Sequence, residues 1–398
     1  MADLISVINP ATEALIQTIP GDDRAAIAQK VSQARQAQPG WAALAPADRM
    51  APIQRFRDRL IEQADTLAAL LTSETGKPIT QARNEILAVP GRIDFFLEHT
   101  LQVLTPERVY GEPADALPGT GGLEEVISYD PLGVIANISA WNYPYFVGSN
   151  VFVPALLLGN AVLYKPSEFA TLTGLAIADL LHASGIPQDI FMPVVGTGLT
   201  GAALLEQPID GVLFTGSYAT GQKIAVAAAP QMMRVQLELG GKDPAYVCAT
   251  ANPAIAAVGL ADGAFYNNGQ SCCAVERIYV HTEVYDDFLD AFLATVQGFS
   301  LGDPTDAATY LGPVSRQPQL TVLQNQVADA IAKGATLRCG GEPLDRPGWY
   351  FAATVLTEVN HTMAVMRDET FGPVIGIQRV TSDAEAVALM QDTPYGLT

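Results

Sequence analysis

The sequence predicts an α/β protein: a parallel, doubly wound sheet carrying a ligand crevice, followed by a second α/β unit. Three observations lead there. Short apolar runs alternate with helical ones from residue 133 to residue 239, as in successive β-α-β units. A second α/β alternation follows Gly240. The 398 residues also exceed what one hydrophobic core usually serves.

In chain order, the first hundred or so residues read as helices. A segment over 24–36 follows the capping candidates Asp22 and Asp23, and a second covers 48–63. A third, 65–75, places Leu67, Leu70 and Leu71 on one face and stops at Gly76, with Pro78 just beyond. Pro90 is expected to kink or end the next helix. Residues 106–122 are rich in Pro and Gly and read as a loop, a linker or an excursion from the main body. Strands are expected at 133–138, 161–164, 192–195, 212–214 and 235–239, with helices at 151–158, 172–183, 199–205 and 220–228 between them. A parallel sheet built this way holds its ligand beyond the carboxyl ends of the strands. Past Gly240 come a helix at 253–265, a strand at 277–281 and a helix at 284–296. No internal repeat of fixed period is present.

Composition narrows the class. Hydrophobic residues at 49%, charged residues at 16% and a mean hydropathy of +0.19 describe a dense globular protein. A net charge of -20, from 22 basic against 42 acidic residues, repels nucleic acid and anionic membranes, so neither is an expected partner. An anionic cofactor would need locally placed donors to overcome that field. The start, Met1-Ala2-Asp3-Leu4, has no basic or apolar leader pattern and no apolar run reaches membrane-spanning length, so a cytoplasmic location is expected. Four cysteines, Cys248, Cys272, Cys273 and Cys339, are too few for a disulfide scaffold and leave thiols available for chemistry.

The polar motifs fall where the crevice is expected. Asn268-Gly269-Gln270-Ser271-Cys272-Cys273 lies in a loop between a helix and a strand, where a thiolate can attack a carbonyl; an arbitrary cysteine is more often a buried, inert thiol. In Leu237-Glu238-Leu239-Gly240-Gly241-Lys242 a carboxylate ends a strand, either as a general base or as a solvated strand end. Asn142, in Ser139-Ala140-Trp141-Asn142-Tyr143-Pro144, offers an amide donor for a developing oxyanion or merely caps the following helix. Lys165-Pro166-Ser167-Glu168 and Phe214-Thr215-Gly216-Ser217-Tyr218-Ala219-Thr220-Gly221 are phosphate-handling candidates, the second opening a helix. No P-loop occurs.

Taken jointly, these motifs and Glu369-Thr370-Phe371-Gly372-Pro373 closely resemble the aldehyde dehydrogenase superfamily, in order from Ile8-Asn9-Pro10-Ala11-Thr12 to Tyr395-Gly396-Leu397. The resemblance implies a Rossmann-type NAD-binding domain over 1–108 and 130–240, an oligomerisation hairpin or excursion at 109–129, and a catalytic domain over 241–398. It implies that Lys165 and Glu168 hold the adenosine ribose, Ser217 a cofactor phosphate and Glu369 the nicotinamide ribose, with Phe371 against the nicotinamide. Ser167, Phe214, Gly216 and Gly240 belong to the same implied site. The chemistry implied is attack of the Cys272 thiolate on an aldehyde, an oxyanion held by Asn142 and the Cys272 N–H, hydride loss, and hydrolysis of the thioester with Glu238 as base. No metal is needed. Cys273 is left to packing or oxidation.

NAD is the expected cofactor, because Glu168 accepts from ribose hydroxyls and repels a 2′-phosphate; Lys165 keeps NADP possible. Tyr143, Val147 and Asn150 are expected to line the substrate tunnel. Asn150 stands where some relatives place an Arg for a substrate carboxylate, so any such charge must come from elsewhere. Ala140 replaces a usual Pro. Relatives continue beyond Thr398, so the second domain is expected to be C-terminally incomplete, with poor activity or aggregation through an open sheet edge; the longer form is expected to be a homo-oligomer. Three other readings are less consistent with these residues. A CoA-acylating enzyme usually lacks a base at Glu238; a non-catalytic relative has no need of Cys272, Glu238 and Asn142 together; and a Cys-His hydrolase finds no partner in His99, His182, His281 or His361.

Overall fold

The computed structural model describes residues 4–112 and 122–398; the first three residues and the centre of the expected 109–129 excursion lie outside the described residues. The chain begins with a hairpin rather than a helix. β1 (Leu4–Ile8) and β2 (Leu15–Pro20) pair antiparallel, which corrects the expectation of helices from the start. Ile5 and Val7 alternate with less buried neighbours and pack with Ile19 and Val195, a period of two carried by too few residues to stand out in the sequence.

Four helices follow. α1 (Arg24–Ala42) starts under Asp23, whose carboxylate accepts from the N–H groups of Ala25 and Ala26. It runs past residue 36, through Pro39, because Trp41 is buried and its Nε1 donates to the Leu156 carbonyl at 2.9 Å. α2 (Pro46–Glu62) and α3 (Ala64–Thr75) match their expected spans, and Gly76 caps α3 with a left-handed φ of 76°. α4 (Ile79–Val103) continues through Pro90, contrary to any helix end there. Its buried Ile86, Val89, Ile93 and Leu97 join the first core, and that burial outweighs the backbone bond that proline forfeits. Around the Pro/Gly-rich stretch, β3 (Glu107–Glu112) and β4 (Leu123–Ile127) pair antiparallel, with Val109, Leu123, Val126 and Ile127 exposed.

The expected alternation then appears in full: β5 (Val134–Ile138), α5 (Pro144–Leu157), β6 (Ala161–Lys165), α6 (Thr171–Ala183), β7 (Phe191–Pro193), α7 (Gly198–Leu205), β8 (Gly211–Thr215), α8 (Tyr218–Ala228) and β9 (Arg234–Glu238). All five strands run parallel in the order β7-β6-β5-β8-β9. Every residue of β5 and β6 is buried, as strands covered on both faces require. The connections leave β5 in one direction and return to β8 on the other side, so a crevice opens beyond the carboxyl ends of these two strands. α5 starts at Pro144, earlier than the expected 151, because a first-turn proline suits a helix whose leading N–H groups have no internal partner.

The second unit comprises β10 (Pro244–Val247), α9 (Pro253–Phe265), β11 (Arg277–His281), α10 (Tyr285–Gln297), α11 (Gln317–Ala332), β12 (Thr336–Cys339), β13 (Thr354–Thr357), α12 (Ala364–Arg367), β14 (Val374–Val380) and α13 (Asp383–Gln391). Its strand order is β10-β11-β14-β13-β12, parallel except for β12. Among the described residues no helix is long and apolar enough to cross a membrane.

Candidate active site

A cleft of 1090 Å³ opens beyond the carboxyl ends of β5, β6 and β8, and residues of the second unit close its far wall. It gathers Asn142, Lys165, Ser167, Glu168, Phe214, Gly216, Ser217, Gly240, Cys272, Glu369 and Phe371, which the sequence had nominated from six separate segments. Tyr143, Val147, Asn150 and Glu238 are not among its lining.

Cys272 owes its position to an unusual turn. Asn267, Asn268 and Gly269 all adopt left-handed φ, at 54°, 56° and 69°, a run that asparagine and glycine tolerate best. Side chains lock it. Asn267 Nδ2 donates to the carbonyls of Asn142 (3.2 Å) and Gln270 (3.1 Å), and Asn268 Nδ2 donates to Pro313 O at 2.9 Å. Gln270 Oε1 accepts from Ser315 N at 3.0 Å. The loop is therefore rigid where its thiol needs a fixed direction. The thiols of Cys272 and Cys273 hydrogen-bond to each other; that bond pulls Cys273 down to about 6 and pushes Cys272 well above the usual thiol range, with burial adding to the latter.

Asn142 does not cap α5. Its Nδ2 donates to the Gln270 carbonyl at 3.0 Å, which orients the amide and leaves its second hydrogen for a ligand. The Asn142 carbonyl accepts from buried Lys77 Nζ at 2.6 Å. Lys77 is ion-paired with equally buried Glu85, whose Oε1 also accepts from Tyr145 N (2.9 Å) and Phe146 N (3.3 Å) at the start of α5. The sequence held no signal for this brace, since its members lie far apart along the chain.

The expected cofactor residues face the same space with some tasks already taken. Lys165 is buried, donates to Pro166 O at 3.2 Å and sits 3.9 Å from Glu168 Oε2; burial lowers its pKa. Ser217 caps α8 by accepting from Thr220 N at 3.4 Å. Glu369 accepts from Gly241 N at 3.1 Å, and burial, reinforced by Glu276, pushes it up to about 7. Phe371 meets Trp141 edge-on at 5.6 Å. Both walls need bare backbone to seat their own side chains: a Cβ on Gly216 would lie 2.5 Å from the Phe214 ring, and one on Gly240 would collide with the Glu369 carboxylate. The cleft, at 1090 Å³ and bordered by Ser217 at the start of α8, has the room and the helix N-terminus that a dinucleotide requires.

Glu238 departs from the expectation that it points into the crevice. Its side chain is exposed on edge strand β9, 3.5 Å from Gln236 Nε2, while the following Leu239 and Gly240 line the cleft. An alternating strand sends one neighbour inward and the next outward. Tyr143 immediately precedes α5, and Val147 and Asn150 lie within it, all three outside the cleft lining: the Tyr143 hydroxyl meets Ser271 Oγ at 2.6 Å, and Asn150 Oδ1 accepts from Arg92 Nε at 2.8 Å. Arg92 and the cleft residues Arg316 and Gln319 were not singled out from the sequence, where nothing marks them. None of the four histidines lines the cleft.

The model of the aldehyde dehydrogenase family matches residues 2–398. The chain is 33% identical over 395 residues to a succinate-semialdehyde dehydrogenase, NADP(+), from Mycobacterium avium, covering 99% of this chain and 82% of that one. It is 34% identical over 394 residues to succinate-semialdehyde dehydrogenase 1, NADP(+), from Mycobacterium tuberculosis, covering 99% and 85%. The solved lactaldehyde dehydrogenase from Escherichia coli superposes with a TM-score of 0.94 at 32% identity, covering 100% of this chain and 82% of that one.

Proposed function

The chain belongs to the aldehyde dehydrogenase family, and from that premise we propose that it oxidises a small aldehyde to the carboxylic acid through a thioester on Cys272. The observation that carries the reading is the meeting of Cys272 and Asn142 in one cleft, with the Asn142 amide already oriented by Gln270. The Cys272 sulfur, as the thiolate, attacks the carbonyl carbon, and the carbonyl π pair moves to the oxygen, which takes the negative charge. Asn142 Nδ2 and the Cys272 N–H donate to that oxygen, worth about 3 kcal/mol for a single such donor. When bound in the cleft, NAD or NADP supplies the hydride acceptor that turns the adduct into a thioester. We assign to Glu238, which directly precedes the cleft residues Leu239 and Gly240, the removal of a proton from the water that hydrolyses the thioester.

NAD is favoured because Glu168 repels a 2′-phosphate, while Lys165 and the NADP(+) names of the relatives support use of both. The substrate class we favour is an aldehyde that carries a carboxylate. The names of the relatives suggest it, and Arg92, held by Asn150, brings a positive charge to the position that lacked one. Exposed apolar residues on β3 and β4 support self-association, and four free cysteines suit a reducing cytoplasm.

A second reading, in which a thiol instead of water takes the acyl group, draws on the outward position of Glu238. Glu238→Gln separates the two. With hydrolysis as the second half-reaction the variant gives a burst of reduced cofactor and then stops; undiminished turnover removes Glu238 from the mechanism. Cys272→Ala is expected to abolish both burst and turnover, and retained wild-type rates would end the proposal.

A further inference from the structure

In a chain of net charge -20, the cleft proposed to take a dinucleotide carries Glu168, Glu206 and Glu369 in its walls. Arg316, at the start of α11 in the second unit, lines the same cleft. Its guanidinium lies 5.8 Å from the Trp141 ring and 5.6 Å from the Phe169 ring. It is in no ion pair among the described residues, although the charges of Glu168 and Glu369 both act on it. Its Nε is buried with no hydrogen-bond partner. One terminal nitrogen donates to Gln319 Oε1 at 2.8 Å, and Gln319 Nε2 donates in turn to the Thr370 carbonyl at 2.8 Å. A guanidinium kept partly desolvated, aimed by two rings and one amide, and denied a carboxylate is prepared for an anion that is not part of the protein.

We infer that Arg316 binds the pyrophosphate of the dinucleotide, clasping it from the second unit against the wall formed by the first. This rests on the functional reading above. In that reading Glu168 holds one ribose and Glu369 the other. Arg316 stands between them, beside Phe169 toward the first and beside Trp141, which touches Phe371, toward the second. The group between the two riboses of a dinucleotide is the pyrophosphate. Arginine answers it with planar paired donors, and a guanidinium held between two rings loses little freedom on binding. The contact also spans the boundary between the units, so it couples cofactor binding to their mutual position. Lys165 is less available for this task, since Pro166 O and Glu168 already engage it.

The test is direct binding by calorimetry to wild-type protein, Arg316→Gln and Arg316→Lys, with adenosine, ADP-ribose, NAD and NADP as ligands. Arg316→Gln should weaken ADP-ribose, NAD and NADP by at least about tenfold while leaving adenosine unchanged, as expected for one charge-assisted contact. Arg316→Lys should recover part of the loss. Unchanged NAD affinity in Arg316→Gln overturns the inference, as does an equal loss for adenosine, which would mean a collapsed site. A loss confined to NADP overturns it in favour of the 2′-phosphate. Absence of NAD binding by the wild-type protein would defeat the functional reading itself, whereas wild-type binding with indifferent variants defeats this inference alone.

Discussion

Replacing Lys77 by Met tests the brace behind the oxyanion site. The side chains of Lys77 and Glu85 are 1% and 0% exposed, so the pair sits in a medium where an unmatched charge is costly. Met keeps the length of the stem and removes the ammonium, leaving the Glu85 carboxylate with only the N–H groups of Tyr145 and Phe146. Breaking a buried pair in this way costs about 3–5 kcal/mol. Neutralising the survivor in Lys77→Met/Glu85→Gln should return roughly half of that, because an amide oxygen can still accept from Tyr145 N. Activity should not return with it. The Asn142 carbonyl would retain only Asn267, and a looser amide matters most in the transition state. We expect kcat to fall about tenfold in both variants, or about 1.4 kcal/mol. The KM for cofactor should stay constant, since neither Lys77 nor Glu85 lines the cleft. Urea unfolding monitored by tryptophan fluorescence, with steady-state kinetics at saturating aldehyde, measures both quantities. A single variant within 1 kcal/mol of wild type would refute the energetic reasoning. A destabilised variant with undiminished kcat would refute the link to Asn142.

Three other predictions are independent of that brace. Cys273→Ala removes the partner whose hydrogen bond and charge push the Cys272 thiol up, so Cys272 should form its thiolate at lower pH and its alkylation by iodoacetamide at pH 7 should accelerate; an unmoved pH profile contradicts this. Burial pushes Glu74 up to about 7, against N–H donors from Leu172 and Thr173 and the Thr173 hydroxyl. The folded protein therefore binds more protons than the unfolded chain between about pH 4.5 and 7, and this stability, complete below that window, is lost as pH rises through it, by about 3 kcal/mol. Glu74→Gln should flatten that part of the stability curve in urea titrations, and an unchanged slope would assign it to other groups. Arg92→Ala should raise KM for succinate semialdehyde about tenfold and leave an uncharged aldehyde of similar length nearly unaffected, whereas equal effects on both would remove the charge argument.

Local chemistry made much of the first sheet legible. β5 and β6 are unbroken apolar runs because both faces are covered, and the motifs that end these strands had to open toward a common crevice. Gly76 after α3 was legible as a stop for a similar reason, since a left-handed cap favours glycine. Pro90 misled because a lone residue's preference is weighed against a whole helix face. The opening hairpin escaped because β2 is almost wholly exposed and has little pattern to read.

By itself the sequence determined the class of fold and most of the side chains that share the cleft, including Cys272, Asn142, Glu369 and Phe371. Those follow from strand ends and turn residues, which act over a few neighbours. Only the tertiary structure decided which charges face each other. Lys77 comes to Asn142, Arg92 to Asn150, and Arg316 to the gap between Trp141 and Phe169. The outward turn of Glu238 was settled there as well. Such pairings join residues far apart along the chain, and electrostatic energy depends on distance and burial in space, quantities that no local pattern encodes.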